Sequence, residues 1–382
     1  MVEVREVEFD GKRYIEIGDR LYERRVNPIG VRQKFWAVRR GKNSIVQEPP
    51  KITDILFKFN RCEITNEDYG EVIASKFQRL CGLKSVEYYT CKFTDIDGID
   101  HYGVMCGSFK KDNSEIGTSG YRLQTQYTDF KFDKKTGAPS KPINTVYSFL
   151  RDLDLLLEDH PHKQYFLDNI KFGLLFQAYC DFLLGQTDRH WLNTEFIENF
   201  NNGNYSIRNA SVYDSGCIAF LKRKTDTIKT YASMIKGDYL NAPIMHTIMN
   251  KYCPMFGVKT CLVKVDTKKA AKYCEVEKID VDNSQENKAA FLSEITDEIL
   301  HNPDMGLVHI KLKETFKYNP KTKLLDLSML FDLLKRNGEE IPNEVKEVVT
   351  AVVNYQFNEI EKEMTRKINQ IYGKEETIDK EA

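Results

Sequence analysis

Residues 184–193 read LGQTDRHWLN and directly follow the helix-like segment Tyr165–Leu184. Because this segment is apolar nearly all round, it predicts a buried central helix, which Gly185 ends. Asp188 and Asn193 have the Asp-x-x-x-x-Asn spacing of a kinase catalytic loop. A strand-like stretch comes next, and Asp214 then precedes a Ser-Gly pair. The order of these groups along the chain is the main evidence for fold and function.

These residue types match the few groups that phosphoryl transfer requires. An acidic side chain must orient the attacking hydroxyl, and oxygen ligands must hold magnesium against the phosphates. Asp188 is therefore the candidate catalytic base. Asn193 and Asp214 are the candidate magnesium ligands, because amide and carboxylate oxygens suit a hard cation. Taken singly, each motif is typical of an ordinary polar loop.

The first hundred residues contain short runs of β-branched and aromatic residues between turn residues. These runs predict strands at Arg13–Ile17, Lys34–Val38, Asp54–Phe59, Glu87–Phe93 and Tyr102–Phe109. One helix is predicted between the third and fourth runs, with Thr65 and Asp68 as a capping box and Gly82 at its end. Helical spacing dominates after about residue 145 and predicts helices at 147–158, 165–184, 284–301, 328–336 and from 343 onward.

These patterns predict an α+β fold with two lobes. A small, mostly antiparallel sheet with one helix would form the N-lobe, residues 1–108. A mainly helical C-lobe, residues 109–373, would carry the catalytic and metal-binding loops, and residues 374–382 would form a solvated tail. The predicted hinge lies between Val104 and Asn113.

The predicted N-lobe supplies further candidates for a nucleotide site. Lys58 is the one cation in the apolar run Ile55–Phe59, where an ammonium is expected if it meets phosphates. Glu71, on the helix that follows, would hold this lysine, although a surface lysine on an edge strand is the alternative. Gly30 lies in a candidate turn over the nucleotide phosphates. No Walker-type P-loop motif occurs in the sequence.

Charge and composition argue against several classes of protein. The 56 basic and 57 acidic side chains nearly cancel, so direct nucleic-acid binding is not expected. No apolar run approaches the roughly 18 residues of a membrane span, and the N-terminal segment lacks the apolar block of a signal peptide. A cytoplasmic protein is therefore predicted. The nine cysteines form no Cys-x-x-Cys pair and are interpreted as reduced and mostly buried, not as zinc ligands.

Taken together, the motifs resemble those of the HipA-like serine/threonine kinases. The resemblance spans about residues 25–220 and rests on the segments Gly30–Trp36, Ile55–Lys58, Gly70–Leu83, Thr187–Asn193 and Tyr213–Asp214. It implies a two-lobed, protein-kinase-like fold that binds ATP and Mg²⁺ between its lobes. It also implies that Met105, Cys106 and Gly107 lie along the adenine.

The resemblance has biological implications as well. The best-known members of the family are bacterial toxins of toxin–antitoxin systems, partnered with a small DNA-binding antitoxin. Some phosphorylate aminoacyl-tRNA synthetases, and others are secreted effectors. The resemblance therefore implies a protein substrate, such as a translation factor or an aminoacyl-tRNA synthetase, and either a cytoplasmic toxin or a secreted effector.

The chain also departs from the family pattern. Gln186 stands where the family usually has asparagine, and Ser215 stands where most protein kinases have phenylalanine. Residues 26–36 contain no hydroxyl residue, whereas the family often phosphorylates a serine in this loop. Autophosphorylation and docking to an antitoxin in the family's manner are therefore left open.

Two alternatives stay open from the sequence. Asp-Arg-His-x-x-Asn is also the catalytic loop of phosphoinositide-3/4-kinase-like lipid kinases, and the cluster of Lys222, Arg223, Lys224 and Lys229 could face an anionic membrane. Such a cluster is more often simply a solvated loop. The second alternative is a catalytically dead, kinase-shaped binding module. The full set of polar candidates argues against that module, because packing requires none of them.

Overall fold

The structure is a computed structural model that describes residues 1–18, 20–26, 34–39, 54–59, 65–108, 115–127, 145–201, 204–250, 252, 254–259 and 284–378. The chain forms two compact units, each built from three separated parts. The first unit comprises Met1–Leu123, Trp191–Ala232 and Ser328–Lys346. The second comprises Gln124–His190, Ser233–Leu327 and Glu347–Ala382. The lobe boundaries at residues 108 and 373 stay a prediction.

A closed barrel of seven strands lies in the first unit. The strands are β1 (Val2–Phe9), β2 (Lys12–Ile17), β3 (Arg20–Val26), β4 (Lys34–Arg39), β5 (Ile55–Phe59), β6 (Tyr88–Thr94) and β7 (Asp100–Gly107). Their order is β1-β2-β3-β4-β5-β7-β6. Neighbours are antiparallel except β1 and β6, whose parallel pairing closes the barrel. Closure removes the unpaired edges of an open sheet.

The barrel corrects the prediction of a small sheet. All five predicted strands are found in it, apart from Phe109, which lies outside the described residues. The strands β1 and β3 were not predicted, because charged side chains fill much of each of them. Both segments form strands because neighbouring strands supply hydrogen-bond partners for their backbones. This stabilisation depends on distant parts of the chain, so the local composition does not show it.

Aromatic side chains fill the barrel interior. Phe57 and Phe59 on β5 belong to this core, and Phe35 stacks on Phe57 with ring centroids 4.9 Å apart. Because successive side chains of a strand point to opposite faces, Lys58 between them points away from the interior. The pleat therefore places the lysine on the outer face of the barrel.

The helix α1 (Glu67–Cys81) packs against β6 and β7. Its buried stripe includes Val72, Ile73 and Phe77. Gly82 ends it at φ +99°, where its left-handed conformation lets the last carbonyls find donors. The predicted capping box is wrong: the N-cap is Asn66, with no side-chain capping bond, and Thr65 instead forms a β-bridge with Lys224.

A second, three-stranded sheet also belongs to the first unit. Its strands β8 (Glu115–Ser119), β9 (Glu195–Asn201) and β10 (Asn204–Asn209) pair antiparallel in the order β10-β9-β8. The segment 116–120 contains two glycines, Gly117 and Gly120. Pairing with β9 makes it strand, and Gly120 begins α2 (Gly120–Tyr127).

The remaining helices of the described chain are α3 (Val146–Leu156), α4 (Lys163–Leu183), α5 (Thr225–Ile235), α6 (Pro243–Met249), α7 (Ser284–His301), α8 (Pro303–Thr315), α9 (Ser328–Arg336) and α10 (Asn343–Ile378). The predicted bounds of α7 and α9 are confirmed. The prediction of a buried helix holds for the second half of α4, which is continuously buried from Leu174 to Leu183, whereas Tyr165 in its first half is exposed. The first five residues of the predicted tail belong to α10.

Two expectations from composition can be compared with the described residues. No helix among them is long and apolar enough to cross a membrane. Of the five described cysteines, none forms a disulfide; four are buried and Cys217 is half-buried. The prediction of reduced, mostly buried cysteines is confirmed for this part of the chain.

Candidate functional site

The ammonium of Lys58 lies between two carboxylates in the first unit. It donates to a carboxylate oxygen of Glu71 and to Oδ1 of Asp214, the latter at 2.7 Å. The side chains of Lys58 and Glu71 are buried, whereas that of Asp214 is 40% exposed. Burying an ammonium is costly unless an opposite charge pairs with it. We call these three residues the Lys58 cluster.

Three separate chain segments assemble this cluster. Strand β5 supplies Lys58 on the outer face of the barrel, and α1 covers that face with Glu71. The second carboxylate oxygen of Glu71 accepts the backbone N–H of Ser215 at 2.7 Å. Glu71 therefore fixes both the lysine and the loop that carries Asp214.

Two glycines allow the Asp214 loop to lie against α1. A Cβ on Gly70 would stand 2.3 Å from the carbonyl oxygen of Gly216. A Cβ on Gly216 would stand 2.8 Å from the carbonyl oxygen of Glu67. Both distances are shorter than real Cβ contacts, so a side chain at either position would push the loop away from the helix. This close approach is what brings Ser215 within hydrogen-bond distance of Glu71.

Asp214 has an unusual backbone conformation that Tyr88 supports. Its φ is +54°, in the left-handed region, which aspartate tolerates better than most residues. Its backbone N–H donates to the hydroxyl of Tyr88 at 3.3 Å. Burial, together with the nearby charge of Glu71, raises the pKa of Tyr88 well above its ordinary value. Tyr88 therefore stays a neutral hydroxyl, and sequence reasoning missed this supporting role.

The residues predicted to line the adenine lie on β7. Val104 pairs with Lys58 across β5 and β7, and Met105, Cys106 and Gly107 follow it. Met105 packs on the barrel core, Cys106 is buried and Gly107 is exposed. Burial raises the pKa of the Cys106 thiol to about 12. Their part in adenine binding stays a prediction, and Gly30 lies outside the described residues.

Asn193 lies at the end of a short 3-10 turn, Trp191–Asn193, in the first unit. Asn193 is buried, and Trp191 packs against Gly120, where a Cβ would be only 2.6 Å from the indole. The hydroxyl of Tyr213 donates to the carbonyl oxygen of Leu192 at 3.2 Å. This bond joins the turn that carries Asn193 to the residue before Asp214.

Asp188 lies in a loop of the second unit. Residues close to it in the sequence fix the backbone of this loop. Gly185, at φ +63°, ends α4, and the N–H of Gln186 donates to the carbonyl oxygen of Asp181 at 2.8 Å. The buried side-chain oxygen of Gln186 accepts the N–H groups of Thr187 and Asp188 at 2.8 and 3.1 Å. The carboxylate of Asp188 is 45% exposed. A glutamine amide thus supports the loop at the position where the family usually has asparagine.

A buried ion pair anchors the same loop and was missed in the sequence. The Arg189 guanidinium donates from Nε to Asp181 Oδ2 at 2.7 Å and from Nη2 to Oδ1 at 3.3 Å. Burial raises the pKa of the Asp181 carboxyl, and Arg189 opposes this shift. The sequence does contain a signal for this pair. Asp181 is an acidic residue within a highly apolar helix, and it lies eight residues before Arg189. His190 Nε2 stands 4.0 Å from Asp188 Oδ1, too far for a hydrogen bond.

The two candidate magnesium ligands, Asn193 and Asp214, both lie in the first unit. Among the described residues, no group of three or more His, Cys, Asp or Glu is arranged to hold a metal ion. Asn193 and Asp214 offer one amide and one carboxylate oxygen. Mg²⁺ commonly takes one or two carboxylates and completes its shell with water and substrate phosphates. The predicted ligands Asn193 and Asp214 are consistent with this coordination preference of Mg²⁺.

Comparison with known proteins supports a kinase-like fold. The structure is similar to that of the Helicobacter pylori proinflammatory kinase CtkA, with a TM-score of 0.55 and 16% identity over 91% of this chain and 97% of that one. At this identity the likeness shows the fold alone. HipA of Shewanella oneidensis MR-1, solved with HipB and operator DNA, matches at a TM-score of 0.42 and 10% identity over 88% of this chain and 65% of that one. That score is too low to establish a common fold. No family model and no curated protein matches the sequence.

Proposed function

We propose that the chain is an ATP- and magnesium-dependent serine/threonine protein kinase of the HipA-like type. The observation that carries this proposal is the Lys58 cluster, within a chain whose fold is similar to that of a kinase. A lysine held by a helix glutamate is the group that protein kinases use on nucleotide phosphates. A purely structural ion pair would not need a half-exposed Asp214 with a left-handed backbone.

In this proposal the first unit binds the nucleotide. Lys58 binds its phosphates, and Glu71 keeps the ammonium in place. Asn193 and Asp214 hold Mg²⁺, which when bound neutralises charge on the phosphate oxygens. Ser215, through its bond to Glu71, couples the position of the metal-binding loop to that of the lysine.

In this proposal Asp188 is the base. Asp188 accepts the proton of a serine or threonine hydroxyl and orients that oxygen towards the γ-phosphorus of ATP. The new O–P bond forms as the bond to the β-phosphate oxygen breaks, and ADP leaves. Gln186 and the Asp181–Arg189 pair fix the backbone of the loop, so that the carboxylate is presented in one orientation.

The substrate and partners follow from the sequence resemblance alone. We propose a protein substrate, such as a translation factor or an aminoacyl-tRNA synthetase. A small DNA-binding antitoxin is the partner expected of a toxin. CtkA is a proinflammatory kinase, and this likeness favours the alternative role of a secreted effector.

A transfer assay tests the proposal. The purified chain is mixed with γ-labelled ATP, Mg²⁺ and bacterial lysate proteins, alongside the variants Asp188→Asn and Asp332→Asn. Wild type should label protein on serine or threonine. Asp188→Asn should lose about 100- to 10,000-fold in turnover at nearly unchanged ATP affinity, since only proton transfer is removed. Asp332 is exposed on α9, so its variant should match wild type.

Each other outcome contradicts the proposal in a specific way. Label found only in a lipid fraction would favour a lipid kinase. Binding of magnesium-ATP without any transfer would favour a kinase-shaped binding module. Equal transfer by wild type and Asp188→Asn would show that Asp188 is not the base.

A further inference from the structure

The chain that follows Asp214 runs along α1 in a defined order of contacts. Gly216 lies against Gly70 in the first turns of the helix. Further on, the carbonyl oxygen of Leu221 accepts the N–H of the N-cap Asn66 at 3.0 Å, and Lys224 forms a β-bridge with Thr65. The segment therefore passes the N-terminus of the helix that carries Glu71, within the same unit as Lys58.

Buried residues and tight turns fix this segment. Ile218, Ala219 and Leu221 are fully buried. The N–H of Leu221 donates to Ile218, and the N–H of Arg223 donates to Phe220, each at 2.8 Å. Ala219 and Phe220 have φ values of +43° and +62°, which non-glycine residues rarely adopt in succession. Such strain persists only where surrounding contacts impose it, and it is concentrated at ligand clamps and switch regions.

Three consecutive cationic residues follow this buried, strained segment. Lys222, Arg223 and Lys224 are all exposed, and Lys229 is exposed on α5. We call Lys222–Lys224 the basic segment. Within the described part of the chain, no ion pair engages any of these four side chains. An anionic ligand can therefore bind them without first displacing an internal carboxylate.

Three acidic residues lie in the first turns of α5, which follows the basic segment, and of α1. Asp226 is exposed at the start of α5, and Glu67 and Asp68 lie in the first turn of α1. Glu67 is buried and Asp68 is half-buried, so neither carboxylate covers the exposed cations. The local charge therefore remains positive in a chain whose net charge is only −1.

We propose that the basic segment docks an acidic stretch of the protein substrate, rich in glutamate or aspartate, beside the phosphorylated residue. The proposal rests on the proposed kinase function. The segment begins eight residues after Asp214, so a substrate held there lies close along the chain to the proposed metal-binding loop. Three or four cations suit a short acidic peptide. Nucleic-acid binders typically use about 6–10 phosphate contacts, more than this surface offers.

A peptide-binding experiment with the full chain tests the proposal. Fluorescence anisotropy compares two labelled peptides that contain one serine flanked by glutamates or, in the matched peptide, by glutamines. Wild type should bind the glutamate peptide at least about 10-fold more tightly, and salt should weaken this binding. The triple variant Lys222→Glu, Arg223→Glu, Lys224→Glu should lose about 10-fold or more. The same charge change at exposed Lys12, Lys311 and Lys321 is the control and should keep wild-type affinity.

The results separate this proposal from the kinase function itself. In the transfer assay, the basic-segment variant should raise the KM for the glutamate peptide and leave kcat unchanged. Equal affinity for the two peptides, or full binding by the variant, would overturn the docking surface. So would a preference of the basic segment for phosphatidylserine vesicles or single-stranded RNA over the peptide. Because anisotropy requires no phosphate transfer, peptide binding without transfer would refute only the kinase.

Discussion

The Lys58 cluster and the loop of Asp188 hold their charges by different kinds of contact. In the first unit, the partners of Lys58 lie 13 and 156 residues away along the chain. In the second unit, Arg189 pairs with a carboxylate eight residues away, and Gln186 binds the next two N–H groups. One arrangement depends on the assembly of distant segments, and the other is built by neighbours in sequence.

The two regions should therefore differ in how much stability is lost when an ion-pair partner is removed. Lys58 has two carboxylates, and one of them is half-exposed, so water can replace part of a lost interaction. Arg189 and Asp181 are both buried, and each is the other's ion-pair partner. The local loop should therefore be the more costly of the two to break, although it is the simpler to assemble.

The largest expected effect comes from breaking that buried pair. Arg189→Ala leaves the buried Asp181 carboxyl without its ion-pair partner, which should lower the free energy of unfolding by about 3–5 kcal/mol. Urea denaturation followed by circular dichroism measures the loss. The double variant Asp181→Leu, Arg189→Met should recover most of it, because no charge is left buried. Wild-type stability in Arg189→Ala would contradict the anchoring role of this pair.

A medium effect is expected where the distant segments meet. Gly70→Ala places a methyl group 2.3 Å from Gly216 and should cost about 1–3 kcal/mol of stability as the Asp214 loop moves off α1. The control is Gly306→Ala, where the nearest carbonyl oxygen is 3.2 Å away and the cost should be smaller. The two variants are compared by urea midpoint and by affinity for magnesium-ATP. Equal behaviour of the two would mean that the close approach does not hold the loop.

The smallest effect concerns a thiol beside the cluster. With its pKa raised to about 12 by burial, Cys106 carries almost no thiolate at pH 8. Half-buried Cys217 should therefore react with iodoacetamide much faster than Cys106 in the native protein. Mass spectrometry of peptides over a time course measures both rates. Faster labelling of Cys106 would show that this side of the barrel opens in solution.

Features that depend on neighbouring residues in the sequence were predicted best. Gly185 as the end of α4, and the bounds of α7 and α9, depend on apolar spacing and glycine within a few residues. The positions of Lys58 and Glu71 were also predicted as a pair, because a lone cation in an apolar strand requires a partner. Those signals are all short-range.

Most of the missed features are long-range, although the local Asp181–Arg189 pair was missed as well. Strand β1 closes the barrel by parallel pairing with β6, about ninety residues later in the chain, and its charged side chains hide it. The contact between Gly70 and Gly216 joins segments that no local pattern connects. The support of Asp214 by Tyr88 depends on the same folding of distant parts. Composition cannot show such contacts, because they exist only once the segments have assembled.

Calorimetry of magnesium-ATP binding tests the central claim, that the Lys58 cluster is a nucleotide-phosphate site. Wild type and the control Asp332→Ala should bind with equal affinity, whereas Asp214→Ala should bind at least about 10-fold more weakly, because a metal ligand is lost. Asp214→Ala binding magnesium-ATP as tightly as wild type, or a wild type that does not bind it, would contradict the claim.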